Sequence, residues 1–521
     1  MIKKIMLATF LLCFMFLFYF NLSADKIDNL IKNVPGLEKY KDASAVNVYN
    51  SIELTINPDY SFEKKVLYIK KILTFKGKKA FSDLKLPYHA EFEKIRLGNC
   101  FTITPEGKRI PVPENQINDL NTRSSIMNPL INYRETIINF PQIDPGYFIV
   151  LEYTFTNSRR EPVTGIEHFQ EANPFMYKKF SIKFPAQFKM NTHFDKNKFT
   201  FSKEKKGEYN KYVWEIRNSK IIKNENNTPF YLISGNPVAY SFYKDWKTFA
   251  REKLDKIKNI EVDGSIKKLA KEVTLGCKSD REKVLAVYKY LAKNFNYQLI
   301  VMSHLDFNPQ PLTEFVKEKK GCIKDFVALF VSMLKSVGIK KIYPALTLHD
   351  YQRFSEIQKK LAIDDLMERV CVFWNNQLFH PGKSYIPFGF CLYEANVIIG
   401  NDNFDMIEFQ HPNRVLEKKT FHYVMDANSA LVSVRFELAD DLNLQFRRIF
   451  MDQPQVRRKI FFNRMLREKS ARLVHGPDFK NFDKINENLE MEFKLKYEDM
   501  LTRQGPYTYF KIFPPFFYMD V

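Results

Sequence analysis

The stretch that most constrains this chain is an apolar helix with a glycine and a cysteine at its foot. Lys319-Lys320-Gly321-Cys322-Ile323-Lys324-Asp325 leads into an apolar run from Phe326 to Leu334, about three turns long, and Gly338 stops it. A cysteine at a helix N-terminus meets the positive end of the backbone dipole and free N–H groups, which favour the thiolate. The stretch therefore asks whether the chain performs thiol chemistry.

The surrounding elements describe an α+β domain. Lys247 to Ile257 and Ser265 to Leu275 have helical spacing. Ser279-Asp-Arg-Glu282 reads as a capping box that opens a helix through Val284, Val287, Tyr288 and Leu291. After Tyr297 a loop, Ser303 to Pro311, leads to the glycine and cysteine. Val370-Cys371-Val372-Phe373-Trp374 and Gln377-Leu378-Phe379-His380 then read as two strands joined by Asn375-Asn376, residues that tolerate the positive φ of a two-residue hairpin turn.

On either side the chain is strand-rich. From about Ala43 to Pro185, short runs such as Val46 to Ile56 and Tyr147 to Thr156 are punctuated by Gly77, Gly98, Pro105-Glu106-Gly107 and Pro145-Gly146, the pattern of an all-β sandwich. After Val415 come Thr420 to Met425 and Ala430 to Glu437, an expected helix from Gln453 to Ser470, and two more strand-like runs. At 521 residues the chain suits about three domains. The expected boundaries are a signal peptide at 1–24, a β-sandwich at 25–242, the α+β core at 243–412 and a β-rich domain at 413–521.

The formal charge of +20 comes from lysines scattered among Asn and Ile along the whole chain, not from a stripe. No nucleic-acid motif accompanies them, so nucleic acid is not an expected partner. At the N-terminus, Lys3 and Lys4 precede an apolar run from Ile5 to Phe20, and Asn21-Leu22-Ser23-Ala24 supplies the end of a secretory signal with cleavage after Ala24. The chain is then expected outside the cytoplasm, periplasmic or secreted. The alternative is an uncleaved anchor, and only then is a membrane a partner. Beyond the signal, Cys100, Cys277, Cys322, Cys371 and Cys391 are too few for a disulfide scaffold, and no two have metal-ligand spacing. No cofactor or metal is expected.

The order of these parts resembles the bacterial transglutaminase-like proteins in which a DUF3857 β-sandwich precedes the core and a DUF3858-like β-domain follows it. The resemblance rests on Leu84-Lys85-Leu86-Pro87-Tyr88, Thr104 to Gly107 and Phe140 to Gly146 in the first part. In the second it rests on Trp246, the helix from Lys283 with Tyr297 after it, the Gly-Cys stretch, and Tyr385-Ile386-Pro387-Phe388-Gly389. For the C-terminal part it rests on position. It implies a papain-like core with a Cys-His-Asp triad acting on peptide amides or glutamine side chains.

The family's helix start reads Gly-Asp-Cys-Lys-Asp. Gly321, Lys324 and Asp325 match it, which puts Ile323 at the nucleophile's position and Cys322 at the first aspartate's. The family histidine's position is Arg369, and the family aspartate's is His380. Isoleucine carries no nucleophile, arginine stays protonated, and histidine cannot supply a carboxylate's charge. The expected function is thus that of an inactive relative that binds protein, peptide or cell-envelope material. The alternative is a thiol enzyme in which Cys322 is a substitute nucleophile paired with His380, with Arg369 lowering its pKa.

Overall fold

Along Ala45–Ile56 the side chains run buried at the start and then alternate, as a strand covered on both faces at one end must. This strand lies inside an eight-stranded sheet seen in the computed structural model, which describes residues 24–122, 125, 132–222, 235–298, 307–348, 356–382, 395–409, 417–426, 429–439, 443–444, 446–447, 450, 454, 456–458, 460, 471–484, 487–498 and 501–510. Edge to edge the strands are Thr200–Lys206, Tyr209–Arg217, Tyr177–Pro185, Ala45–Ile56, Phe62–Ile72, Phe148–Asn157, Glu93–Ile103 and Arg109–Pro111. Neighbours are antiparallel except Ala45–Ile56 and Tyr177–Pro185, which run parallel with Ile52 opposite Phe180.

Two small sheets and a helix cover this large one. Val238 and Tyr240, from the sheet of Asn191–His193, Pro237–Ser241 and Thr164–His168, pack with Ile52, Leu54, Phe180 and Ile182. Ile138, Leu84 and Leu86, from the sheet of Asp83–His89, Tyr133–Asn139 and Ile117–Asn121, pack with Ala45, Ile72, Ile149 and Leu151. The helix Ala24–Ile31 sets Ile27 against Val46, Val48, Ile69 and Val150. Each such side chain stabilises the fold by about 1.5–3 kcal/mol when fully buried.

The described residues of Met1–Trp246 form one compact unit together with a later stretch, Phe354–Leu366. Ser241 Oγ donates to the Ala362 carbonyl at 2.6 Å, Trp246 Nε1 to the Gln358 carbonyl at 2.7 Å, and Thr164 Oγ1 to Asp364 Oδ2 at 2.9 Å. These bonds knit the late stretch into the early unit.

The second unit comprises Lys247–Arg353 and Met367–Val521. Its helices are α1 (Trp246–Lys258, whose first residue belongs to the first unit), α2 (Gly264–Val273), α3 (Asp280–Asn294), α4 (Leu312–Glu318) and α5 (Ile323–Ser336). Ser279 caps α3 as expected, its Oγ accepting from Glu282 N at 3.2 Å, but the return bond of a capping box falls one residue earlier: Glu282 Oε2 accepts from Lys278 N in place of Ser279 N. A five-stranded antiparallel sheet follows, with strands β1 (Ile342–Leu348), β2 (Met367–Trp374), β3 (Gln377–Phe379), β4 (Ala395–Ile399) and β5 (Met406–Phe409) in the order β3-β2-β1-β4-β5. One face carries Ala345, Cys371, Leu378, Val397 and Ile399. Helix α5 packs against β1 and β2 as well as α2 and α3, and everything from Phe326 to Leu334 is buried. Gly338, at φ +94°, ends the run as the sequence predicts.

The last sheet orders Glu417–Asp426, Ser429–Leu438, Leu489–Glu498 and Ala471–Lys480, all antiparallel. Val432, Val434, Phe436, Met491 and Phe493 face a core closed by Phe446 and Phe450. The expected signal peptide, the Tyr385–Gly389 motif, Cys391 and most of the expected Gln453–Ser470 helix lie outside the described residues. Among the described residues no helix is long and apolar enough to cross a membrane.

Candidate functional site

The backbone delivers Cys322 to its place through two tight local fits. Lys319, left-handed at φ 53°, ends α4, and Lys320-Gly321 pairs in parallel with Asn296-Tyr297. Gly321 must be glycine there: a Cβ would stand 2.6 Å from the Phe315 ring and 2.8 Å from Asp325 Oδ2. Cys322 follows in an extended conformation as the N-cap of α5, and Ile323 is its first helical residue. Both are buried, 1 % and 3 % exposed.

Asp325 fills the helix N-terminus. Its Oδ2 accepts from Cys322 N at 2.8 Å, from Cys322 Sγ at 3.3 Å and from Gln310 Nε2 at 3.2 Å, while Oδ1 accepts from Gln310 N at 2.8 Å. A carboxylate thus already stands at the helix start beside the thiol, where the dipole would otherwise favour a thiolate. Burial pushes the Cys322 thiol up to about 12, and the charge of Asp325 pushes the same way, against the weaker pull of Lys324. That direction is opposite to the one a helix N-terminus alone would produce.

The residues expected at the other two family positions, Arg369 and His380, lie in and just past the hairpin. Asn375 and Asn376 take φ of 47° and 58°, the two left-handed residues of the expected turn, and Val372 pairs with Phe379. Continuing that register sets His380, just past β3, opposite Cys371. Arg369 stands in β2 opposite Thr347, half-buried, on the same face as Cys371 by strand alternation. Cys371 Sγ lies 3.7 Å from the Ala345 carbonyl.

Aromatic packing then holds the His380-Pro381-Gly382 turn near the start of α5. The His380 ring meets Tyr297 edge-on at 5.6 Å, and Tyr297 meets Phe326 at 5.6 Å. The His380 carbonyl accepts from Tyr288 Oη at 3.4 Å. Gly382, at φ +100°, lies so close to Phe326 that a Cβ would be 2.5 Å from its ring. The structure therefore brings His380 to the Tyr297–Phe326 pair, near the start of the helix that carries Cys322 and Ile323. Among the described residues no hydrogen bond joins Cys322 to His380, and the Cys322 thiol is directed to Asp325.

Sequence reasoning left out Gln310, which holds Asp325, and named Tyr297 as part of the resemblance without its contact with His380. It matched Asp325 to the family but not to its role as the thiol's acceptor, although the spacing Cys322-x-x-Asp325 carries that signal. Among the described residues no group of three or more His, Cys, Asp or Glu is placed to hold a metal ion, and Cys100, Cys277, Cys322 and Cys371 are unbridged.

Comparison with known proteins assigns two segments. Residues 58–223 match the domain of unknown function DUF3857, and residues 267–351 match the transglutaminase-like superfamily. Neither match reaches the C-terminal sheet. Among solved structures, a candidate protease from Parabacteroides distasonis superposes with a TM-score of 0.61 at 12% identity, over 87% of this chain and 93% of that one, a likeness of fold. An M1 zinc metallopeptidase from Deinococcus radiodurans matches 33% of this chain and 39% of its own at 11% identity, with a TM-score of 0.20 that says nothing about either fold. No curated protein matches. The chain thus carries a DUF3857 domain ahead of a core that belongs to the transglutaminase-like superfamily.

Proposed function

We propose that this transglutaminase-like core is catalytically inactive and works outside the cytoplasm as a binding module for protein, peptide or cell-envelope material. The observation that carries this reading is the state of Cys322. Its thiol is buried, bonded to the Asp325 carboxylate and held neutral far above ordinary pH. A nucleophilic thiol needs the reverse: exposure, a lowered pKa and an imidazole within reach. Ile323, at the family nucleophile's position, has no group to take its place, and Arg369 cannot accept a proton. The C-terminal sheet is read as DUF3858-like by its position.

The second reading, a thiol enzyme using Cys322 with His380, draws on the aromatic packing that brings His380 to the start of the helix. Alkylation by iodoacetamide, followed by mass spectrometry between about pH 6 and pH 10, separates the two. The inactive reading expects Cys322 to stay the slowest-reacting thiol, with no inflection below the ordinary ~8.5. Fast labelling of Cys322 at neutral pH, with peptide-amide turnover that Cys322→Ala abolishes, would establish the enzyme instead.

A further inference from the structure

Outside the transglutaminase-like core, the large sheet of the first unit holds a cavity of about 240 Å³. Its floor and walls come from neighbouring strands, and their register fixes which groups stand side by side. Across four strands one row reads Lys179, Ser51, Leu67, Glu152. Two residues along, Glu53, Lys65 and Thr154 form the next row. At ordinary strand spacings the patch is roughly 14 Å by 7 Å.

Charges of opposite sign interleave in these rows: Glu53 is directly opposite Lys65, and Lys179 lies one strand away, diagonal to Glu53. Glu53 and Lys179 are half-buried, and among the described residues neither makes a hydrogen bond or ion pair within the protein. Glu152 is oriented by Asn99 Nδ2 at 2.8 Å. The Tyr49 ring, stacked on Tyr177 with centroids 5.2 Å apart, gives the cavity an apolar wall beside Leu67.

The exposed Lys26 also lines the cavity, so three lysines stand with Glu53 and Glu152, and an anion or cation entering this site meets a like charge near each opposite one and gains little. A neutral polyol gains at every group, because each hydroxyl both donates and accepts. Carboxylates and ammonium groups make the stronger, charge-assisted form of those bonds. Its C–H faces find Leu67 and Tyr49. We propose that this cavity binds a neutral saccharide, one or two rings of an uncharged oligosaccharide, independently of the core's activity or inactivity.

The test is saturation-transfer NMR on the full chain with glucose, galactose, mannose, N-acetylglucosamine and cellobiose. Glucuronate, glucosamine and the dipeptide Ala-Gln serve as comparators. At least one neutral sugar should show transfer, in preference to the charged sugars and the dipeptide. Glu53→Gln should weaken that binding about tenfold, and Leu67→Trp, which fills the floor, should abolish it. Thermal midpoints check that both variants fold. If Leu67→Trp does not fold, the isosteric Glu53→Gln decides. The proposal is overturned by the absence of transfer from every neutral sugar up to about 10 mM, by stronger binding of a charged sugar or the dipeptide, or by unchanged sugar binding in the variants.

Discussion

Cys322 and Lys70 are both ionisable side chains withdrawn from water, and in each case burial favours the neutral form. Lys70 is 5 % exposed, with its Nζ 3.4 Å from the centre of the Phe81 ring. Burial pushes its pKa down to about 7, against the pull of Glu171. Between that value and the 10.5 of an unburied lysine, the unfolded chain holds a proton that the folded chain has released. Stability therefore rises with pH across this window, and the full penalty of burying the charge applies below it. Lys70→Met should raise stability by about 1–3 kcal/mol at pH 6, and by clearly less near pH 10. Urea melts at the two pH values check this, and an equal gain at both would refute it. Asp325 makes the opposite case, a buried carboxylate whose acceptor role is filled. Asp325→Asn should lose about 2 kcal/mol in urea unfolding. It should also speed alkylation of Cys322 several-fold at pH 8, because a charge opposing the thiolate has gone. The Cys-x-x-Asp spacing was legible in the sequence. The burial that decides the thiol's acidity was not, since it depends on Phe315, Gln310 and Tyr297 arriving from elsewhere.

At the scale of elements, the sequence predicted best where a local rule determines the outcome. The Ser279 N-cap, the stop at Gly338 and the Asn375-Asn376 turn all depend on a few adjacent residues, and all are found. The turn is testable: Asn376 sits at φ 58°, where a β-branched side chain clashes with its own backbone. Asn376→Ile should cost about 1–2 kcal/mol and loosen the register that sets His380 opposite Cys371. Thermal denaturation measures the first effect, and amide exchange along β2 and β3 the second. A variant as stable as the parent would mean that the hairpin does not rely on this turn. Pairing between distant strands was not legible. Alternation marks Ala45–Ile56 as a strand, but nothing in it indicates that Tyr177–Pro185 lies beside it in parallel, because that choice is made by the packing of whole sheets.

At the scale of the whole molecule, the sequence conveyed the succession of β-rich, helical and β-rich regions, since composition and period change visibly near the expected boundaries at 243 and 413. It did not convey that the first unit includes residues from beyond the middle of the chain. Ser241, Trp246 and Thr164 each bond to the stretch that ends at Leu366. A fragment ending at Trp246 loses those three bonds, so a synthetic peptide of residues 356–366 should bind it and raise its melting temperature by about 3–5 °C. A midpoint indifferent to the peptide would show that the early unit is complete without it.

That late stretch also bears on biosynthesis. A ribosome works from the N-terminus, so the first unit waits, unfinished, while Lys247–Arg353 is made. Its last hydrogen bonds form only once residues just ahead of Arg369 have emerged. The first unit can therefore finish only after helices α1 to α5 of the second have been made, and a gene cut at residue 246 would separate parts of one unit.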